Sequence, residues 1–262
     1  MAEDVREMIL KSVRKDIALE LLKKNERADG RSQYDYRKVE VQKGAVTTAD
    51  GSALATIGGS KVLCGIKFDM MTPFPDRPQD GVFMTMAEFS PLASPMFEPG
   101  PPRENSIELA RVVDRGIRSA EVIDTASLFI EEGKVLGLFI DMFVLDHSGN
   151  LTDTAALAAA AALADTKVPK VEDGAILWGQ YEKEMKLPMK PVTSTFIKVG
   201  DKLLLDPILD EEYAADAQLT IGTVEGKVSC IQKSKNGCFT KDEVLEAIEV
   251  ALKKGDELRE FV

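Results

Sequence analysis

The chain has 262 residues, 44% of them hydrophobic and 29% charged, which is ordinary globular usage and excludes a collagenous, coiled-coil or disordered protein. At roughly 150 residues per domain the length implies one or two domains. Lysine and arginine number 33 against 44 acids, a net charge of −11, which argues against a generally basic nucleic-acid coat while leaving room for a local basic patch.

From the N-terminus, Glu3 to Lys24 reads as an amphipathic helix, with Val5, Ile9, Val13, Ile17 and Leu21 four residues apart. The start, Met1 to Lys15, is charged and holds no continuous apolar segment, so no signal peptide is expected. Arg27-Ala28-Asp29-Gly30-Arg31 breaks the helix at a turn glycine. Tyr36 to Cys64 reads as short strands with hairpin turns at Ala49-Asp50-Gly51-Ser52 and Gly58-Gly59-Ser60-Lys61, and strands continue over Lys61–Met71 and Val82–Phe89. Pro73 to Pro102 holds 8 of the 12 prolines, which predicts long surface loops. Arg103 to Val122 is a helix, followed by strands near Thr125–Glu131 and Val135–Leu145. A loop, Asp146-His147-Ser148-Gly149-Asn150, leads into an alanine-rich helix, Thr152–Lys167, which Pro169 is expected to end. Beyond Val168 strands are predicted at Thr193–Val199, Lys202–Leu205, Ala217–Val224 and Lys227–Ile231. Thr240 and Glu243 make a capping box for a last helix reaching about Leu258. Strands then helices, twice, describe an α+β chain of two lobes joined near residues 168–190.

Three segments bear on chemistry. On the helix Arg103–Val122, Arg111, Arg115 and Arg118 share one face while Leu109, Val112, Val113, Ile117 and Ala120 lie roughly opposite. Three guanidiniums in line suit the phosphates of a single RNA strand. They equally suit a solvated face of intrahelical ion pairs, Glu108 with Arg111 and Asp114 with Arg118. Asp206, Asp210, Glu211, Glu212 and Asp216 place five acids in eleven residues. They suit a Mg²⁺ site, a general acid, or a plain acidic surface loop. The loop Asp146–Asn150 opens a helix, where free N–H groups bind anions, but no Arg or Lys lies between Asp146 and Asp165, and Asp153 in the first turn repels phosphate. The single histidine, His147, has no identifiable partner for nucleophilic chemistry. One histidine and three cysteines (Cys64, Cys230, Cys238) are too few for a zinc site or a disulfide framework, so no metal site is expected. With no apolar run of roughly 18 residues, no membrane association is expected, and the expected compartment is the cytoplasm.

Taken together these segments resemble the RNase PH family. Arg27-Ala28-Asp29-Gly30-Arg31 is similar to its Arg-x-Asp-Gly-Arg opening. The run from Arg103 to Arg115 is similar to the arginine-bearing helix of its archaeal exosome branch, in the non-catalytic type. The resemblance covers about residues 27–255. It implies the RNase PH fold, two βαβα-type lobes, the first like domain 2 of ribosomal protein S5, with a helical extension over residues 1–26 and lobes over 27–185 and 186–262. It also implies a hexameric ring alternating with a homologous catalytic subunit and carrying RNA-binding cap proteins. Single-stranded RNA is shortened there from its 3′ end by inorganic phosphate, with Mg²⁺ a candidate helper. Catalytic members grip phosphate with an arginine-bearing loop. Here that stretch is Ser148-Gly149-Asn150, with no arginine near it in sequence. They also carry two aspartates six residues apart, matched here by Asp206 and Glu212. The resemblance therefore implies a chain with no activity or cofactor of its own, Asp206 and Glu212 being vestigial. Arg111 and Arg115 are implied to contact RNA, with Arg118 beside them. The alternatives are a self-sufficient phosphorolytic exoribonuclease and a plain RNA-binding module.

Overall fold

The computed structural model describes residues 2–262, with side chains from residue 12 onward. A long helix, α1 (Ala2–Lys23), precedes four strands, β1 (Val39–Lys43), β2 (Gly51–Ile57), β3 (Ser60–Met71) and β4 (Val82–Phe89). Helix α2 (Glu104–Ser119) leads to a short 3-10 turn (Thr125–Leu128), β5 (Phe129–Glu131), β6 (Lys134–Asp146) and α3 (Leu151–Ala164). These strands form one sheet in the order β1-β2-β3-β6-β4, with β5 on β6. A hairpin, β7 (Lys167–Glu172) with β8 (Ala175–Glu184), leads to a second sheet. It consists of β9 (Val192–Val199), β10 (Lys202–Leu205), β11 (Ala217–Val224) and β12 (Lys227–Ser234), in the order β10-β9-β11-β12. Helix α4 (Leu209–Ala214) lies within it in sequence, and α5 (Lys241–Arg259) follows it.

Two sequence features set this arrangement. β4 and β6 are parallel, and parallel neighbours require a crossover, which α2 supplies, so its apolar stripe packs onto the first sheet. Leu109, Val112, Val113 and Ile117 are buried, as predicted. Helix α3 is buried on every side, from Leu151 and Asp153 through Leu163, between the first sheet and β9. A run of alanines suits that place, because small side chains let two sheets approach one helix closely and lose little rotamer entropy on burial.

Asp153 shows what the buried face of α3 holds. Its carboxylate accepts from Tyr36 Oη (2.9 Å), Asn150 Nδ2 (2.8 Å), Thr193 Oγ1 (2.9 Å), Thr195 N (2.9 Å) and Thr195 Oγ1 (2.8 Å). The acid expected to repel phosphate from the helix start is instead fully consumed in joining α3 to β9.

Several sequence expectations are corrected. Val13 and Ile17 are 52% and 53% exposed, while Ala18 and Leu22 are buried against Ile197, Val199, Leu204 and Ala214. A four-residue repeat advances about 40° further round a helix at each step, so such a stripe winds off the contact face. The side chains of Val5 and Ile9 lie outside the described residues. Thr125–Leu128 is a 3-10 turn rather than strand, with Asp124 accepting from Ser127 N at its start. Helix α3 ends at Ala164, and Pro169 sits inside β7 at a register shift. The β7–β8 hairpin and α4 were not predicted.

Replacing Asp153 with alanine removes the acceptor of five buried hydrogen bonds, of whose donors Tyr36 Oη and Thr195 Oγ1 keep Ser194 and Thr220 as partners. Unmet buried donors cost about 1–3 kcal/mol each, discounted for relaxation, so Asp153→Ala is expected to lower unfolding free energy by about 3 kcal/mol or more in a urea titration, and Asp153→Asn by less. An Asp153→Ala titration that overlays the wild type would refute the clamp.

Candidate nucleic-acid interface

The arginine face of α2 is exposed along one side of a groove. Arg111, Arg115 and Arg118 are all exposed, and with Thr85, Ala110, Asp114 and Ser119 they line a depression of about 550 Å³. The three are not equivalent. Arg118 donates to Asp114 at 2.7 and 3.1 Å and to the Phe83 carbonyl at 2.7 Å, and its guanidinium lies 3.8 Å over the Phe83 ring. It is tied down by the Asp114 pair that the helical spacing allowed. The matching pair of Glu108 with Arg111 does not form: Glu108 accepts from Gln232 Nε2 at 3.2 Å. Arg115 donates to Gln232 Oε1, a neutral group. Among the described residues Arg111 has no hydrogen-bond or ion-pair partner. Two of the three guanidiniums therefore keep uncompensated charge.

The five acids of the second candidate do not converge. Asp210 pairs with Arg14 at 3.1 Å. Glu211 is buried and takes a two-pronged bond from Arg27, at 2.9 and 2.7 Å. Asp216 accepts from Gly200 N at 2.9 Å. Asp206 is wholly buried and accepts from Arg31 Nη1 (2.9 Å), Arg37 N (2.9 Å), Arg37 Nε (2.9 Å), Arg37 Nη2 (2.7 Å) and Asn150 Nδ2 (2.7 Å). Burial alone raises a carboxyl, but the bonds and charge of Arg37 outweigh it and hold Asp206 below its ordinary range. A carboxylate offers about four lone-pair directions, and these are already filled. Asp206 therefore has no coordination left for Mg²⁺, and among the described residues no three metal-binding side chains gather; nor is the stretch a plain surface loop, since Asp206 and Glu211 are buried.

The loop beside it is also filled. In sequence the Ser148-Gly149-Asn150 stretch has no arginine near it, yet in space Arg37 reaches it, donating to the carbonyls of Ser148 (2.8 Å) and Gly149 (3.0 Å). That guanidinium bonds inward, to Asp206 and the loop backbone. Asn150, at φ +54, turns its amide to Asp153 and Asp206, and its own N–H donates to Glu212 Oε1 at 2.7 Å. A Cβ on Gly149 (φ +93) would stand 2.5 Å from the Pro207 carbonyl oxygen. The loop is pressed against the chain entering α4. Arg37 was missed because sequence distance hides a contact made across 111 residues; its nearness to the Arg27–Arg31 opening was the available signal.

His147 stacks on Phe97, centroids 5.4 Å apart, and burial, then Arg37, pushes it down to about 4, leaving it neutral. Glu212 is pushed up to about 7 by burial, against the restraint of the Asn150 N–H, Lys235 and Arg37. A carboxyl raised on folding favours the native state most at low pH, and that contribution is lost as pH rises through the folded value. Glu212→Gln lacks the loss. Its stability relative to wild type is expected to climb between pH 5 and 7 and level off above, by roughly 1–3 kcal/mol in all. Denaturation measured across this range should show the climb; a constant difference would mean that Glu212 is not raised.

The chain matches the two domain profiles of the 3′ exoribonuclease family, RNase PH domain 1 over residues 35–169 and domain 2 over residues 191–254. It is 48% identical over 262 residues to the exosome complex component Rrp42 of Thermococcus gammatolerans, covering 97% of this chain and 95% of that protein. Among solved structures it is similar to a chain of the Archaeoglobus fulgidus exosome with RNA bound to the active site, at a TM-score of 0.88 and 44% identity over 96% of this chain and 98% of that one. It is similar also to a chain of an archaeal exosome core, at a TM-score of 0.86 and 40% identity over 99% and 98%. With its α+β fold and the order of its elements, this chain belongs to the RNase PH family, in its archaeal exosome branch.

Proposed function

We propose that this chain is a non-catalytic subunit of an exosome ring, which binds single-stranded RNA through Arg111 and Arg115 and completes the active site of a homologous catalytic partner. The observation that carries the reading is the contrast between two arginine sets. Arg31 and Arg37 are spent on Asp206 inside the protein, whereas Arg111 and Arg115 face a groove with no carboxylate bound to them. Phosphorolysis needs a cation to hold inorganic phosphate against the repulsion of the RNA phosphate, and this chain has committed the arginines nearest its loop. Phosphate, and Mg²⁺ if the reaction uses it, then act in the partner's site. Arg118 contributes mainly by buttressing α2 through Asp114 and Phe83. RNA-binding cap proteins complete the assembly in this reading. No described helix is long and apolar enough to cross a membrane, and we place the ring in the cytoplasm.

An assay of phosphate-dependent RNA shortening tests the reading. The purified chain is expected to be inert and the mixed assembly active. Arg111→Glu with Arg115→Glu should lower RNA affinity of the assembly, and the slope of log affinity against log salt should shrink by about 1.4, about 0.7 for each lost single-strand phosphate contact. Arg118→Ala should change the slope less. Phosphorolysis by the chain alone, abolished by Asp206→Asn, would replace this reading with a self-sufficient enzyme.

A further inference from the structure

Arg111 stands between two acids on its own helix. Glu108 precedes it by three residues and Asp114 follows it by three. Residues at that spacing are neighbours on a helix surface, with Cβ atoms about 5–6 Å apart, so either carboxylate could take the guanidinium. Among the described residues neither does. Asp114 is held by Arg118, at 2.7 and 3.1 Å, and by Thr85 Oγ1 at 3.2 Å. Glu108 is held from the second sheet, where Gln232 Nε2 donates to its Oε1 at 3.2 Å.

Gln232 lies on β12, the end strand of its sheet, opposite Thr220 of β11. It is half-buried, where β12 packs on α2. Glu108 and Arg115 are seven residues apart, which places them on one stripe of the helix, about two turns from each other. The Gln232 amide spans that stripe. It gives Nε2 to the Glu108 carboxylate and takes Arg115 Nη1 on its Oε1. An ionised carboxylate only accepts and a guanidinium only donates, so the two partners fix which way the amide points. A neutral amide serves both at once. A glutamate at this position would pair with Arg115 and repel Glu108; a lysine would do the reverse.

We propose that Gln232 is a positioning residue of the RNA groove. It holds Glu108 off Arg111 and steadies Arg115 without neutralising it, so both guanidiniums keep their charge for phosphate. The inference rests on the RNA-binding reading above and adds the residue that keeps its arginines available. An arginine already paired with a carboxylate attracts a phosphate less, and the paired acid repels it. The groove is then a joint product of the two lobes, with the arginines on α2 of the first and the group that keeps them unpaired on β12 of the second.

The test is a double-mutant cycle on the assembly with the catalytic homologue. Affinity for a single-stranded oligoribonucleotide is read by fluorescence anisotropy with phosphate omitted. Gln232→Ala releases Glu108 to Arg111. It is expected to weaken binding about threefold or more and to reduce the slope of log affinity against log salt by up to about 0.7, the share of one single-strand phosphate contact. In a chain that already carries Glu108→Gln there is no carboxylate to release, and the same change is expected to cost less than about threefold. A residue that merely fastens β12 to α2 would cost the same in both backgrounds. A loss of threefold or more in both, or of less than threefold in the otherwise wild-type chain, overturns the role of Gln232 and leaves the RNA groove intact. Thermal midpoints of the lone variants are the folding control. Should Gln232→Ala lower its midpoint, Gln232→Glu decides instead, because it keeps the side chain's shape and lays a carboxylate on Arg115; undiminished affinity in that variant overturns the proposal. Full affinity in Arg111→Glu with Arg115→Glu overturns the groove itself and this inference with it.

Discussion

The buried carboxylate of Asp206 is the point on which the remaining structure closes. A charge taken wholly out of water is costly unless its lone pairs are met, and here five donors meet them. Those donors come from separate parts of the chain: Arg31 and Arg37 from the segment after α1, and Asn150 from the start of α3. Arg27 adds a second bridge beside it, to Glu211 at the start of α4. Asn150 also bonds Asp153, whose remaining partners are on β9 or just ahead of β1. The opening segment, the helix between the sheets and the second sheet are thus joined through one polar cluster.

That closure has a chemical consequence. The groups that phosphate chemistry would require at this place, an arginine, a loop of free N–H groups and a carboxylate able to exchange protons, are present but satisfied by one another. Arg37 bonds Asp206, the loop carbonyls bond Arg37, and the Asn150 N–H bonds Glu212. The uncompensated charge lies elsewhere, on the outer face of α2. In the proposed reading this division suits a subunit that guides RNA without cutting it. The strongly acidic remainder of the chain limits indiscriminate contact with nucleic acid.

Much of the fold was readable because local periodicity is imposed by burial. The α2 stripe, the hairpin turn at Gly58-Gly59, the alanine-rich α3 and the Thr240–Glu243 capping box all appear as the pattern predicted. The failures also have physical causes. The α1 repeat reads as a core stripe, but its winding leaves Val13 and Ile17 in solvent. Helix α4 was hidden because acids dominate its six residues, and their folded partners, Arg14 and Arg27, lie near the other end of the chain. For the candidate RNA contacts, helical spacing identified the face but not the difference between its members, since Gln232, which meets Arg115, and Phe83, which holds Arg118, come from other strands.

The sequence by itself determined the α+β class, most of the element order, the family resemblance and the presence of an arginine row on an amphipathic helix, because these follow from residue type and spacing along one segment. Only the tertiary structure decided which charges remain available. Arginines and carboxylates act through side chains that reach several ångströms in any direction, so whether a guanidinium meets solvent or a buried acid depends on what the fold brings beside it. Thus Arg37, unremarked just ahead of β1, proved to bond Asp206 and the loop before α3, and Arg111, one of three alike in sequence, proved to be the one left without a partner among the described residues.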